Sequence, residues 1–535
     1  MIHHRTVTCR TRRVLPLAAG LLSLSALAVQ TGPAPPAAAA GPRPTTSGEA
    51  AANARLDAIR TDPARMKRFF TALPKGGDLH NHLSGAASTE YLVELAAEDG
   101  LCVETATTTA VPPPCGPGTR PAADARHDRA FRDAIVRGWS MQDFPEGGDG
   151  HDHFFGTFAK FGEVTWRHRG KLLADVADKA AEQHQSYLET MVSPASDGAK
   201  RLADDVGWND DLAALHRELA SGGRLDALVA DARREADDGD AEFRGAAHCG
   251  TRRAHPGCRV PVRWISQASR GASPARVFTQ LALGMRLAER DGRFVAVNLV
   301  QPEDAESALS GYRLQMRMLK YLRGVYPRAH VTLHAGELWP GLVKPEDLAF
   351  HIREAVDVAG AERIGHGVDL VHEDRWRRTA RTMAARETAV EVPFTSNAQI
   401  LGVKGADHPF ATYRAFGVPV VLATDDPGVS RTDIGAEYRY AARTYGLTYA
   451  DVKDLSRASL EYAFLPGRSL WAGAPARDGY TLTGACAGKR PGAAAPGSRC
   501  RDLLDASGKA AAQWRQEAAF HRFEERIRRG GGAGA

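Results

Sequence analysis

The sequence predicts an α/β protein, a (β/α)8 barrel of the TIM type with cysteine-bearing loop insertions and a C-terminal extension. Three features point there. Eight short apolar runs alternate with stretches of helical periodicity between Leu79 and Ala423, the pattern of parallel strands joined by crossover helices. Eight such units in one chain suit closure into a barrel. Polar residues able to do chemistry recur at the ends of these runs, about one βα unit apart. With 43% hydrophobic and 25% charged residues, the 535-residue chain has the composition of a folded globular protein.

The chain opens with Arg5, Arg10, Arg12 and Arg13, followed by an apolar run at 14–29 and small residues at 37–40. This order is that of an export signal with an Ala-x-Ala cleavage site. The run is too short and interrupted for a good membrane span. The Arg12-Arg13 pair resembles a twin-arginine signal, which leaves the Sec and twin-arginine routes both open. Secretion is therefore expected, with no membrane association after processing. Those four arginines account for most of the formal net charge of +5, so the basic pI does not indicate a nucleic-acid binder. The expected organisation is an export signal at 1–40, a flexible polar lead-in at 41–60, the barrel at 61–470 and an extension at 471–535.

Past the lead-in, Asp62-Pro63 reads as an N-cap followed by proline in the first helical turn. A short strand around Leu79 and a helix over 88–98 come next. Further strands are expected at 187–192, 262–268, 294–300, 330–334, 363–366, 389–394 and 418–423. Helices are expected between them, at 274–289, 306–325, 345–359 and 373–386. Residues 101–130 and 236–260 are Pro/Gly-rich or polar insertions, and 472–510 is irregular before a charged helix at 511–529. Outside the signal there are six cysteines, falling as the local couples Cys102/Cys115, Cys249/Cys258 and Cys486/Cys500. Six cysteines allow fifteen pairings, but no Cys-x-x-Cys couple suggests a metal site, so local loop-stapling disulfides are favoured.

His80-Asn81-His82 places two imidazoles on one side of a strand, half of a metal site. His151-Asp152-His153 has the same spacing but sits in a Gly/Asp-rich loop, and is read as not metal-binding. Leu333-His334-Ala335-Gly336-Glu337 ends an apolar strand with a possible ligand and a possible general acid/base. Ile364-Gly365-His366-Gly367 and Thr424-Asp425-Asp426-Pro427 close two more strands. Adjacent carboxylates such as Asp425 and Asp426 repel unless a cation holds them. His334, His366, Thr395 and Asp425 are spaced by 32, 29 and 30 residues, so a barrel would bring all four to one mouth. The mixed N/O set suits zinc rather than magnesium or calcium.

Taken in order, the His80-x-His82, His334-Ala335-Gly336-Glu337, Ile364-Gly365-His366-Gly367, Thr395-Ser396-Asn397 and Thr424-Asp425-Asp426-Pro427 motifs resemble the adenosine deaminase family. With the signal, the insertions and His153-Phe154-Phe155-Gly156-Thr157-Phe158, the likeness leans to its secreted, growth-factor-like branch. The resemblance implies one zinc per chain, bound by His80, His82, His334 and Asp425. It implies that Glu337 protonates purine N1, that His366 orients and helps deprotonate the attacking water, and that Asp426 bonds N7. It implies hydrolysis of adenosine or 2′-deoxyadenosine to the 6-oxo nucleoside and ammonia. Val392-Pro393 departs from the family's usual Cys-Pro ahead of Thr395-Ser396-Asn397, and two further departures bear on the substrate. Ser84 stands where nucleoside-specific members carry an Asp for the ribose 5′-hydroxyl, and Gln301 where a Gly contacts the purine. AMP or a modified adenosine thus remains open as substrate, as does a catalytically weak nucleoside-binding or signalling protein. The sequence leaves the oligomeric state open.

Overall fold

A computed structural model describes residues 46–145 and 147–530; the expected export signal lies outside them. Eight parallel strands run β1 Gly77–His82, β2 Tyr187–Val192, β3 Val262–Ser269, β4 Phe294–Val300, β5 His330–Ala335, β6 Arg363–His366, β7 Ala389–Val392 and β8 Val420–Leu422. Each pairs with the next in sequence order. The ring closes where the chain just past β8 meets β1, through a single parallel bridge, Asn81 to Asp425. There the His82 N–H donates to Asp425 O and the Asp425 N–H to His80 O, both at 2.9 Å. Strands sandwiched between helices and the barrel interior are apolar on both faces, and all six residues of β2 are buried.

The barrel interior is partly charged. Arg363 of β6, 1% exposed, reaches Glu189 of β2 at 2.6 Å and bonds Glu391 of β7 through Nε. Its guanidinium lies 3.8 Å from the Phe464 ring centre and donates to Tyr462 O at 3.0 Å. Three strands and the segment after the last barrel helix are thereby tied at the floor beneath the site.

Several elements differ from expectation, each for a physical reason. The lead-in at 41–60 is not a flexible tether where it is described. Thr46 and Glu49 form a capping box that starts the helix Ser47–Ile59, and Ala52, Leu56 and Ile59 are buried. The 345–359 stretch breaks into short turns, Asp347–Ala349, His351–Glu354 and a π turn at Ala355–Ala359. β7 stops at Val392, because Pro393 cannot donate to a sheet ladder, and the helix Phe394–Ile400 begins at once. Much of the 236–260 insertion is the end of the long helix Arg224–Ala246.

The three local cysteine couples are the disulfides that form: Cys102–Cys115, Cys249–Cys258 and Cys486–Cys500. The first staples a small antiparallel sheet of Cys102–Glu104, Ala110–Val111 and Thr119–Pro121. The last belongs to a satellite core with Leu470, Trp471, Leu503 and Trp514. Among the described residues no helix is long and apolar enough to cross a membrane.

Candidate metal centre

At the C-terminal ends of the strands, His80 and His82 of β1, His334 of β5 and Asp425 after β8 converge with their ligand atoms within 4.8 Å of one another. The Nε2 atoms of His80 and His82 stand 3.1 and 3.2 Å from that of His334. The Asp425 Oδ1 lies 3.4 and 3.2 Å from His80 and His82. Ligands held about 2.0–2.1 Å from one tetrahedral zinc stand about 3.3 Å apart, so the cluster already has the edge lengths the ion requires.

Each imidazole is also held in the right tautomer. The His80 Nδ1–H donates to Glu391 Oε2 at 2.7 Å, that of His334 to Asn298 Oδ1 at 2.8 Å, and that of His82 to Gln267 Oε1 at 3.3 Å. All three Nε2 lone pairs are left facing the centre, the outer-shell arrangement of metal-ligating histidines. Asp425 is turned by Ser396, whose hydroxyl donates to Oδ2 at 2.6 Å and leaves Oδ1 as ligand. Burial, then the neighbouring His80, His82 and His366, holds His334 well below the ordinary histidine range. It therefore faces the centre as the neutral base that a metal needs. Three imidazoles and one carboxylate are a donor set that zinc fits.

Around the centre stand the groups able to move protons. Glu337 is 6% exposed. Gly336 (φ +79°) makes the turn that presents it, and Glu303 accepts from the backbone N–H of Gly336 at 3.2 Å and of Glu337 at 2.9 Å. Burial, then the charges of Asp425 and Glu303, pushes the Glu337 carboxyl well above its usual range. Burial and Asp425 do the same to Asp426, whose buried Oδ1 has no hydrogen-bond partner. Gly85 makes room for it: a Cβ there would lie 1.9 Å from Asp426 Oδ1. His366, fully buried, points Nε2 at the centre, 3.7 Å from Glu337 and 3.9 Å from Asp425. A side chain on Gly365 would strike the His80 ring at 2.5 Å. Backbone strain gathers here, with φ +66° at His366, +61° at Asp425 and +88° at Gln301.

The centre opens into a cavity of about 340 Å3, walled by Phe154, Phe155 and Phe158 of the helix Gly150–Thr165 and by Ser84, Val300 and Pro302. A larger hollow of about 1050 Å3 opens at the opposite end, around Phe464 and Lys509, and none of the site residues lines it. Ser84 faces the catalytic cavity from the short helix Leu83–Ala86. Gln301 keeps the positive φ that a glycine would adopt, while its side-chain oxygen accepts from the Gly271 N–H at 3.0 Å.

Thr395 does not join the site. It falls in the first turn of Phe394–Ile400 and bonds Glu437, while its neighbours Ser396 and Asn397 reach Asp425 and His366. In the His151-Asp152-His153 segment, His151 bonds Asp304 at 3.1 Å and His153 donates to Ser140 O at 2.9 Å. Sequence reading assigned no role to Gln267, Asn298, Glu303 or Glu391. For Gln267, Asn298 and Glu391 the signal is a polar side chain within a strand, as in Val390-Glu391-Val392 and Val297-Asn298-Leu299, whereas Glu303 lies in the loop after β4.

Fold and site together define a (β/α)8 barrel with a metal-binding centre at its C-terminal mouth. The adenosine deaminase family model matches residues 169–470, and the chain belongs to that family. Adenosine deaminases of Salmonella heidelberg and Salmonella typhimurium are 40% identical over 137 residues, 25% of this chain. The match spans 38% of the length of those relatives. An amidohydrolase from Burkholderia ambifaria, solved with bound zinc, has a TM-score of 0.51 at 17% identity, covering 87% of this chain and 95% of its own. The Arabidopsis N6-mAMP deaminase scores 0.48 at 21% identity, covering 74% of this chain and 95% of its own.

Proposed function

We propose that the protein is a secreted, zinc-dependent deaminase of adenosine or 2′-deoxyadenosine, yielding the 6-oxo nucleoside and ammonia. One observation carries the reading: two buried carboxyls, Glu337 and Asp426, line the cavity at the metal centre, and burial with the neighbouring Asp425 pushes both above the usual carboxyl range. Purine N1 and N7 flank C6, and both offer lone pairs. Only protonated carboxyls can donate to them, and an amide carbonyl or a phosphate would not call for two such donors.

Zinc in the four-ligand site would supply a nucleophile at neutral pH by acidifying a water. The chain's residues do the rest. Asp426 donates its proton in a hydrogen bond to N7 and fixes the ring. Glu337 gives its proton to N1 as water adds at C6, which relieves a carboxyl whose ionisation burial had opposed. The C6–N6 bond then breaks, and the amine leaves as ammonia after taking up the hydroxyl proton, with Glu337 as carrier. The phenylalanine wall excludes water and stacks the base.

Among the described residues, the cavity wall contains neither lysine nor arginine. This favours a neutral 5′-hydroxyl over a 5′-phosphate, whose charge would find no cation there to pair with. Secretion is supported by the three disulfides, which persist in oxidising compartments.

The test is ammonia release and purine absorbance with adenosine, 2′-deoxyadenosine, AMP and adenine. Adenosine or deoxyadenosine turnover should fall about 10²- to 10⁴-fold in Glu337→Gln with one zinc per chain retained. Faster turnover of AMP would overturn the nucleoside preference, and no turnover of any purine by zinc-loaded protein would overturn deamination.

A further inference from the structure

Behind His366 lies a chain of three side chains. The Asn397 side-chain amide lies between two rings, placed with Oδ1 2.8 Å from His366 Nδ1 and Nδ2 2.9 Å from His408 Nε2. The remaining His408 nitrogen, Nδ1, accepts the Phe410 backbone N–H at 3.1 Å. That last bond fixes the rest. A backbone N–H only donates, so His408 Nδ1 carries no proton, and imidazolium is excluded. His408 is 2% exposed against the Phe394 ring, 4.9 Å away between centroids, which also disfavours charge. The single ring proton of neutral His408 therefore sits on Nε2 and points at Asn397.

An amide has one accepting end and one donating end, exchanged by a half-turn of the side chain. With its oxygen toward His366, Asn397 would press an N–H against the His408 N–H, donor on donor. The satisfied arrangement turns the Asn397 oxygen to His408 and its NH2 to His366 Nδ1. His366 must then accept at Nδ1 and carry its own proton on Nε2. The surroundings of Nε2 agree: it has no hydrogen-bond partner and faces carboxyl oxygens of Glu337 and Asp425 at 3.7 and 3.9 Å.

We propose that His408 is a positioning residue which, through Asn397, fixes His366 as the Nε2–H tautomer. His366 then meets the attacking oxygen as a hydrogen-bond donor and not as the base that deprotonates it. Its part is to orient that oxygen and to stabilise the negative charge it carries as it adds to C6. Proton removal from that oxygen is left to Glu337, once it has given its own proton to N1. This assignment rests on the deaminase reading for its catalytic meaning, but the tautomer itself can be read without substrate.

The experiment is long-range 1H–15N correlation of histidine-labelled, zinc-loaded full-length protein, with His366 and His408 resonances assigned from His366→Asn and His408→Phe. Both rings should carry the proton on Nε2 in the wild type. In His408→Phe the Asn397 amide loses its constraint. His366 should then become a tautomer mixture, and kcat should fall about 10- to 100-fold with KM and zinc content unchanged. His408→Gln, whose terminal NH2 can donate to the Asn397 oxygen, should restore the Nε2–H form and most of kcat. A wild-type His366 protonated on Nδ1 overturns the proposal, and that spectrum decides even if the variants fail to fold. An unchanged kcat and tautomer in His408→Phe overturns it as well. Absence of deamination with the Nε2–H tautomer present would instead count against the functional reading alone.

Discussion

The three metal-facing imidazoles owe their readiness to the oxygens behind them. Asn298 accepts both the backbone N–H of His334, at 3.1 Å, and its Nδ1–H. Asn298→Val keeps the volume and removes both acceptors, leaving His334 free to take the tautomer with Nε2 protonated. Zinc affinity should fall about 10- to 100-fold, measured by competition with a chelator of known affinity. The ligands themselves were legible because strand alternation puts His80 and His82 on one face, and because His334 and Asp425 end apolar runs. Thr395 was placed wrongly because its spacing matched a strand end. Pro393 had already stopped the strand, and in the following turn the residues that point inward are Ser396 and Asn397. Asn298, Gln267 and Glu391 were visible only as polar letters in apolar strands, and single letters do not say which ring they support.

Among the elements, the helix Ser47–Ile59 was hidden by composition. Its buried face is Ala52, Leu56 and Ile59 in an alanine-rich stretch, so the periodic signal is faint; the Thr46–Glu49 capping box was the readable clue. What holds it down is electrostatic as well as apolar. Lys453 of the helix Tyr449–Glu461 bonds Glu49 and Glu524, both at 2.8 Å, and so joins it to the terminal helix Gly508–Arg528. Burial alone would raise both carboxyls. Lys453 outweighs it at Glu49, and His521 with Lys453 outweighs it at Glu524, so both lie below the usual glutamate value. Carboxyls depressed in the folded state contribute stability above about pH 4.3, and lose it as pH falls through their folded values. Hydrogen exchange, corrected for its intrinsic pH dependence, should therefore show the amides of Ser47–Ile59 losing protection below about pH 4 before the barrel strands do.

For the molecule as a whole, the barrel was legible because eight apolar runs alternate with helices, a rhythm that survives errors of several residues at each boundary. The charged floor was not, since nothing local in Arg363 reveals that Glu189 and Glu391 lie beside it. Those two carboxylates, both fully buried, share this one guanidinium. Arg363→Met would leave them without a counter-charge, and urea denaturation should show a loss of about 3–5 kcal/mol. The mouth and the floor bear differently on the join between the first and last strands. That join rests on one bridge and on the Thr424 hydroxyl donating to Asp78 across a sequence separation of 346 residues. Loop closure over such a span carries a large entropy cost. The ligand set straddles it, with two histidines on one side, an aspartate on the other and a third histidine opposite. A cation seated there is the clasp on a hoop. Capturing it and shutting the ring are coupled events, so a chain that has not folded to its last strand has nowhere to keep the ion, and possession of the metal certifies a finished barrel.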